Sequence, residues 1–240
     1  MSKGDRAKKA RLPRLVVFDL DGCLWRPELF EIATSPIDPN GSPFTLNSHD
    51  TIPGTKVKST NGYRKVELIG DTRKILHELF YDEMWYPSLV GISSRTHPPG
   101  WAREILSLFL VFDESRDELP PVAMKDIFTP EICILDRDMD KATQFKLLVD
   151  RANAILPAGD RIQYKDAIFF DNEAGNCKQV AQLGVSTVYT PKGLTQEAWE
   201  NGLSSFPYSR GVLGPKLPYK KMDSNHTYGT SQFAMTSHRV

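Results

Sequence analysis

Residues 18–25 read Phe-Asp-Leu-Asp-Gly-Cys-Leu-Trp, and they continue directly from the apolar run at 15–18. A short run without polar residues is typical of a strand that is buried on both faces of a parallel sheet. Asp19 and Asp21 stand at its carboxyl end, where a carboxylate is stable only if it faces a metal or an open cleft. Residues two apart on an extended chain point to the same side, so the two acids can act together. The stretch therefore predicts a buried parallel strand that ends in an acidic site.

The chain up to about residue 200 alternates apolar runs with segments of helical periodicity. This alternation predicts an α/β fold, with a Rossmann-like parallel sheet and helices on both of its faces. In such a sheet, ligands bind beyond the carboxyl ends of the strands. Further strands are expected at 89–92, 132–135, 167–170 and 187–189. Helices are expected at about 71–83, 101–110, 140–156, 175–183 and 195–199.

Three regions depart from this alternation. Residues 1–13 form a basic N-terminal arm, and residues 204–240 are polar, with too little apolar periodicity to bury much surface. We expect a flexible or loosely attached tail there, and one domain at 14–203. Inside this domain, two short polar-apolar runs flank Asn61-Gly62. Asn-Gly in this setting is a strong turn signal, so a small β-hairpin is expected at about 56–69.

Composition excludes several classes of function. Lys plus Arg equals Asp plus Glu, 30 of each, so no overall field attracts nucleic acid or a membrane surface. No apolar run approaches the ~20 residues of a membrane span, and none follows the basic start as in a secretory signal. Cys23, Cys133 and Cys177 are odd in number and far apart, which indicates free thiols in a reducing compartment. The cytoplasm is the expected location, with the nucleus as an alternative; nothing indicates an oligomeric state.

Three further groups follow predicted strands. Asp171 ends the run at 167–170, and together with Asp19 it would suit Mg²⁺, which often takes only one or two carboxylates. Ser94 and Arg95 follow another strand, where a hydroxyl and free backbone N–H groups can hold phosphate oxygens. Lys141 opens a helix and falls within roughly 30–40° of the centre of its apolar face, with residues about 100° apart. A cation there would keep a nucleophile ionised and offset phosphoryl charge.

Each of these groups has a competing structural interpretation when it is taken alone. These are a turn for Asp-x-Asp-Gly, a helix cap for Asp171, an ordinary loop for Ser94 and Arg95, and a solvated first turn for Lys141. The order of the groups decides between the two kinds of interpretation. Acid pair, hydroxyl, lysine and acid each follow a separate strand, so all are expected at one edge of the sheet.

On these residues the chain resembles the haloacid dehalogenase (HAD) superfamily, and within it the magnesium-dependent phosphatases, also described as an acid phosphatase family. The resemblance extends from about residue 12 to residue 199. Its most specific motifs are Phe-Asp-Leu-Asp-x-x-Leu-Trp at 18–25, Ser-Arg-Thr at 94–96, Lys-x-Thr-x-Phe at 141–145 and Phe-Phe-Asp-x-Glu-x-x-Asn at 169–176. It implies a HAD fold with a small β-hairpin cap.

The resemblance also implies roles for individual residues. Asp19 would be the nucleophile and a magnesium ligand, and Asp21 the general acid and base with its backbone carbonyl on the metal. Ser94, the Arg95 backbone and Lys141 would bind phosphate, and Asp171 would complete the metal ligands. The family often has a second aspartate where this chain has Asn172, which puts a direct role for position 172 in doubt.

The expected function is therefore magnesium-dependent hydrolysis of a phosphomonoester through an aspartyl-phosphate. The resemblance implies phosphotyrosine, phosphoproteins or small sugar phosphates as substrates. One alternative is a phosphotransferase or mutase, which would need a larger cap to exclude water. Another is a catalytically idle scaffold that binds partners through its arm or tail. The presence of Asp19, Asp21, Lys141 and Asp171 together argues against a scaffold without activity.

Overall fold

The structure, a computed structural model, describes residues 11–32, 44–46, 56–59, 65–206 and 212–213. The strands are β1 (Leu15–Phe18), β2 (Trp25–Arg26), β3 (Phe44–Leu46), β4 (Lys56–Ser59), β5 (Lys65–Leu68), β6 (Leu89–Ser94), β7 (Leu110–Val111), β8 (Val122–Ala123), β9 (Cys133–Leu135), β10 (Ala167–Asp171), β11 (Ser186–Tyr189) and β12 (Val212–Leu213). The helices are α1 (Leu29–Ile32), α2 (Thr72–Tyr81), α3 (Pro99–Leu108), α4 (Lys141–Ile155), α5 (Ala174–Ala181) and α6 (Gln196–Ser205). Short 3₁₀ helices cover Glu83–Trp85, Met124–Ile127, Pro130–Ile132 and Tyr164–Asp166.

A six-stranded sheet forms the centre of the molecule, in the order β12-β11-β10-β1-β6-β9, and every pair in it is parallel. All residues of β1 are fully buried, as its apolar run predicts. In register, Phe18 pairs with Phe170 of β10 on one side and with Ile92 of β6 on the other. The carboxyl ends of these three strands therefore lie side by side.

Helices cover both faces of this sheet, which confirms the predicted class. Val16 and Phe18 belong to a core cluster with apolar residues of α2, α3 and α6. Leu15 and Val17 point the other way, into a cluster with residues of α4 and α5. This separation follows from the period of two along a strand. The predicted helices begin and end within a few residues of the observed ones, except the last, which continues to Ser205.

The predicted hairpin is present as β4 and β5, which pair antiparallel with Val57 opposite Val66. It belongs to a larger element than the sequence indicates, because β2 and β3 extend it to a four-stranded sheet in the order β2-β5-β4-β3. We call this sheet the cap. Since β2 is Trp25–Arg26, the cap is joined to β1 by only six residues, 19–24. The Asn61-Gly62 turn lies outside the described residues.

Both predicted domain boundaries fall inside packed structure. Pro13 is buried, and Arg11 forms an ion pair with Asp166, so the packed chain begins before residue 14. At the other end Phe206 is only 1% exposed, and Leu213 pairs with Val188 of β11. The segment after residue 203 is polar on average, so its composition does not predict that these few apolar residues are packed. Residues 1–10, 207–211 and 214–240, the rest of the predicted arm and tail, lie outside the described part of the chain.

Two other predictions concern the chain as a whole. The three cysteines are free thiols, as predicted, and Cys23 and Cys177 are buried. Among the helices that the structure describes, none is both long enough and apolar enough to cross a lipid bilayer.

We expect Phe206→Ala to lower the free energy of unfolding by about 3–5 kcal/mol, the usual loss for a buried phenylalanine. The side chain belongs to the same core cluster as Phe18, Phe170 and Trp199. Phe80→Ala is the matched control, because Phe80 is 37% exposed, and it should cost much less. Urea denaturation of both variants measures the difference; equal losses would show that the core ends before residue 206.

Candidate functional site

The groups predicted from the sequence meet at the carboxyl edge of the central sheet. Asp19 and Asp21 follow β1, Ser94 ends β6, Lys141 opens α4 and Asp171 ends β10. All of them except Asp171 line a cavity of about 330 Å³. The cavity is lined by Asp19, Asp21, Glu28, Phe30, Ser94, Arg95, Thr96, His97, Arg137, Lys141, Asn172, Glu173 and Asn176. Asp171 is absent from this lining, although it lies directly behind it.

Lys141 is buried at the centre of the site, with 1% of its side chain exposed. Its Nζ lies 2.7 Å from Oδ1 of Asp19 and 3.2 Å from Oδ2 of Asp171, and it donates a hydrogen bond to the backbone oxygen of Ser93. Burial alone would lower the pKa of this lysine, but the two carboxylates raise its pKa above the ordinary value. The ammonium group is therefore charged and fixed beside Asp19.

The position of Lys141 on α4 agrees with the helical geometry of the sequence. Phe145, Leu148, Val149 and Ala152 are buried on the same side, and Lys146 is exposed. Asp140 caps the helix by accepting a hydrogen bond from the N–H of Thr143, which fixes its first turn. Two residues placed on the apolar face depart from it: Ala142 is half-buried and Ile155 is 44% exposed.

Asp21 is held at the cavity by a hydrogen bond from Trp25. The indole Nε1 donates to Oδ1 of Asp21 at 2.6 Å, and both side chains are buried. The chain turns back between them, with the N–H of Gly22 donating to the oxygen of Trp25 at 2.8 Å. Burial raises the pKa of Asp21 to about 7, and the charge of Asp19 acts in the same direction. Asp21 can therefore hold a proton near neutral pH.

Gly22 lets Asn172 approach the main chain at this turn. Its φ is +72°, a conformation that side chains with a Cβ rarely adopt. A Cβ on Gly22 would also stand 2.3 Å from Nδ2 of Asn172. A glycine is thus required twice over, once for the turn and once for the close approach of the Asn172 amide.

The amide of Asn172 faces two oxygens, the backbone oxygen of Asp21 and Oδ2 of Asp19. With its NH₂ group toward them, it would donate to the two oxygens at 3.0 and 3.3 Å. With its carbonyl oxygen toward them, three oxygens face one another at these separations. Neighbouring ligands of an octahedral Mg²⁺ lie about 2.9 Å apart, because each metal–oxygen bond is about 2.0–2.1 Å. In that orientation the Asn172 oxygen would lie at about this spacing from each of the other two oxygens.

Asp171 is fully buried behind the cavity lining and has partners for both of its oxygens. Its Oδ1 accepts from the N–H of Glu173 at 2.7 Å, and Asn176 donates to both oxygens at 3.2 and 3.1 Å. Its Oδ2 is the one that pairs with Lys141. Burial raises the pKa of this carboxyl against the opposing charge of the lysine. The sequence alternative of a capping role is thus met in part, since Asp171 ties down the residue that precedes α5.

Ser94 and Arg95 are positioned by a residue that the sequence argument missed. Gln144 is buried on α4; its Nε2 donates to the oxygens of Ser94 and Asp136 at 3.1 and 2.7 Å, and its Oε1 accepts from Ser93 Oγ at 2.7 Å. It thereby joins the ends of β6 and β9 to the helix that bears Lys141. A glutamine three positions after Lys141, on the same buried face, was the available signal. Trp25, which donates to Asp21, is another residue whose position at the site was missed.

Histidine, cysteine and acidic side chains alone do not make a metal centre here. Within the described ranges, no three of them are arranged to hold an ion. The oxygen group described above has a different make-up, with one carboxylate, one backbone carbonyl and one amide. This composition suits Mg²⁺, which combines a few protein oxygens with water and phosphate.

The fold and the site together define the class as the HAD-type phosphatases: paired acids after the first strand, a hydroxyl after the second, and a buried lysine on a later helix. The sequence profile of the acid phosphatase family matches residues 11–209. Because this match covers most of the chain, the protein belongs to the acid phosphatase family and is a phosphatase.

The chain is also similar to individual known proteins. The chain is 28% identical to human magnesium-dependent phosphatase 1 over 206 residues, which are 86% of this chain and 93% of that protein. Among solved structures it is similar to a HAD-superfamily hydrolase from Ehrlichia chaffeensis, with 10% identity, a TM-score of 0.45, and coverage of 81% of this chain and 96% of the other. A Clostridium difficile structure matches with 14% identity, a TM-score of 0.46, and coverage of 86% and 95%.

We expect Lys141→Met to reduce turnover by at least about 100-fold, the scale on which one preorganised charge-stabilising group contributes. Methionine keeps the length and apolar stem of lysine but removes the charge beside Asp19. Lys146→Met, on the exposed side of the same helix, should stay near wild type. Turnover of an aryl phosphate, measured below the melting temperature of each variant, makes the comparison. Similar rates in the two variants would mean that the buried ammonium is not needed.

Proposed function

We propose that this phosphatase hydrolyses phosphomonoesters in two in-line transfers, with Asp19 as nucleophile and an aspartyl-phosphate between them. The observation that carries the proposal is the pairing of a buried, charged Lys141 with Asp19 at the edge of an open cavity. The lysine stabilises the ionised carboxylate, which is the form that attacks phosphorus. It also lies where negative charge on the transferred group must be offset.

In the first transfer, an oxygen of Asp19 forms a bond to phosphorus, and the bond from phosphorus to the leaving oxygen breaks. Asp21 supplies the proton that this leaving oxygen needs, since its pKa of about 7 leaves it partly protonated near neutral pH. The indole of Trp25 holds the carboxyl in position for the transfer. Ser94 and the backbone at Arg95 are placed to bind oxygens of the phosphoryl group.

In the second transfer, Asp21 is a carboxylate and takes a proton from water as the water oxygen attacks phosphorus. The bond to Asp19 breaks, inorganic phosphate is released, and Asp21 is protonated again. One carboxyl thus serves as acid and then as base. The hydrogen bond from Trp25 is available in both states, because it uses the indole N–H as donor.

Magnesium is supported by the oxygen group at Asn172 and by the similarity to a protein named as magnesium-dependent. We assign its ligands as Asp19, the backbone carbonyl of Asp21, and Asn172. When bound, the ion would neutralise charge on phosphate and nucleophile. Asp171, the ligand expected from the sequence, would instead hold Lys141 in place, since it faces that lysine and lies outside the cavity lining.

The substrates that the resemblance implies, phosphotyrosine, phosphoproteins and small sugar phosphates, are all compatible with an open cavity at the sheet edge. The mutase alternative needs a cap that excludes water. The described part of the cap is a four-stranded sheet with strands of two to four residues. Such a small cap favours hydrolysis over transfer to a second substrate.

We expect Asp19→Asn to abolish both turnover and formation of the phosphoenzyme, because an amide lacks the nucleophilic oxyanion. Rapid acid quench with a ³²P-labelled substrate measures the acid-stable protein-bound phosphate directly. Asp21→Asn should still form the phosphoenzyme with a nitrophenyl ester, whose leaving group needs no proton, and accumulate it. Label bound to Asp19→Asn at the wild-type level would place the nucleophile elsewhere.

We expect Asn172→Ala to weaken magnesium binding by at least about tenfold. Loss of even an outer-shell partner commonly lowers the affinity of a metal site by about 10- to 100-fold. Asn172→Asp should strengthen binding, because a charged ligand replaces a neutral one. Asp171→Asn should weaken it less than Asn172→Ala does. Isothermal titration calorimetry without substrate separates these effects from catalysis. A larger loss of magnesium affinity in Asp171→Asn than in Asn172→Ala would show that Asp171 is the metal ligand.

A further inference from the structure

The basic side chains around the catalytic cavity lie on one side of it. Along the sheet order β10-β1-β6-β9, Glu173 follows β10, whereas Arg95 and His97 follow β6 and Arg137 follows β9. Glu28, from the segment before α1, adds a second acid to the lining. The transfer of phosphate described above uses the Arg95 backbone but neither of the guanidinium groups. Two exposed arginines therefore border the cavity with no role in the chemistry.

The two arginines are fixed next to each other. Nε of Arg95 donates to the backbone oxygen of Arg137 at 3.1 Å, which leaves the terminal nitrogens of Arg95 available. Neither guanidinium forms an ion pair with any residue that the structure describes. Of the three carboxylates close to Arg137 along the chain, Asp136 accepts from backbone N–H groups of its own loop and Asp140 caps α4. The third, Asp138, forms no ion pair with Arg137 in the described part of the chain.

We propose that the physiological substrate carries a second anionic group, a carboxylate or a further phosphate, which Arg95 and Arg137 bind. This inference rests on the proposed function and adds to it the class of substrate. Guanidinium groups form paired hydrogen bonds to planar or tetrahedral oxyanions, which gives them a geometric preference for such groups. The cavity volume of about 330 Å³ suits a small metabolite. Glu28 and Glu173 on the opposite side would repel the anion and so orient it toward the arginines.

A series of alkyl phosphates tests the proposal. Each member carries a terminal carboxylate at two to five carbons from the ester oxygen, and each is paired with its neutral carboxamide. At the best spacing the acid should exceed its amide in kcat/KM by about ten- to a hundredfold, the range for hydrogen bonds to charged groups. The preference should shrink as salt is raised, because the arginines are exposed. Alkyl bisphosphates of the same lengths show which oxyanion is preferred, and preference for either supports the proposal.

Variants assign the effect to the arginines. Arg137→Gln should remove the preference for the acid over the amide, mainly through KM, while Arg151→Gln on the exposed surface of α4 should keep it. Equal kcat/KM for acids and amides at every length would overturn the second-anion site and leave the phosphatase in place. A preference that survives in Arg137→Gln would overturn the assignment to this residue. If the enzyme hydrolyses neither series and also fails to hydrolyse aryl phosphates, the proposed function itself is overturned.

Discussion

The ion pairs of Lys141 with Asp19 and Asp171 are the interaction on which the rest of the site depends. An ammonium with 1% exposure is stable only because two carboxylates and a backbone oxygen surround it. The carboxylates need the lysine equally, since each is buried at the end of an apolar strand. The three side chains come from α4, β1 and β10, so the charge cluster holds three elements in register. Removing the lysine would leave two buried carboxylates without their cation.

The six residues between β1 and the cap contribute to the candidate site and also connect the central sheet to the cap. Within them the chain supplies the proposed nucleophile Asp19, the proposed acid Asp21 and the positive-φ turn at Gly22. Trp25 then serves both as the first residue of the cap strand β2 and as the donor that holds Asp21. Any movement of the cap strand would therefore move the general acid. This coupling gives the protein a physical route by which substrate contacts at the cap can change the chemistry at Asp21.

The electrostatic layout of the cavity follows from the strand order. Among the charged residues that line the cavity beyond these strands, Glu173 follows β10, whereas Arg95 follows β6 and Arg137 follows β9. β10 and β9 are separated in the sheet by β1 and β6. The acidic and basic sides therefore flank the nucleophile from opposite directions. The proposed metal ligands lie toward β10, and the phosphate-binding groups and arginines lie toward β6 and β9. If the proposed second anionic group is present, this arrangement would orient the substrate as it enters the cavity.

The sequence by itself determined the parallel sheet, the helices on both faces and the burial of Lys141. Apolar runs and helical periodicity are local properties of the sequence, and they show directly which side of a strand or helix is buried. It also placed the acids, the hydroxyl and the lysine at one edge. It did not separate Asp171 from Asn172, since adjacent residues at a strand end point to opposite sides and only the packed pleat decides which one faces the cavity. The contacts of Gln144 at the site and of Phe206 in the core also could not be predicted from the sequence. Their partners are distant in sequence, and only the tertiary structure brings the strand ends and the core within reach of them.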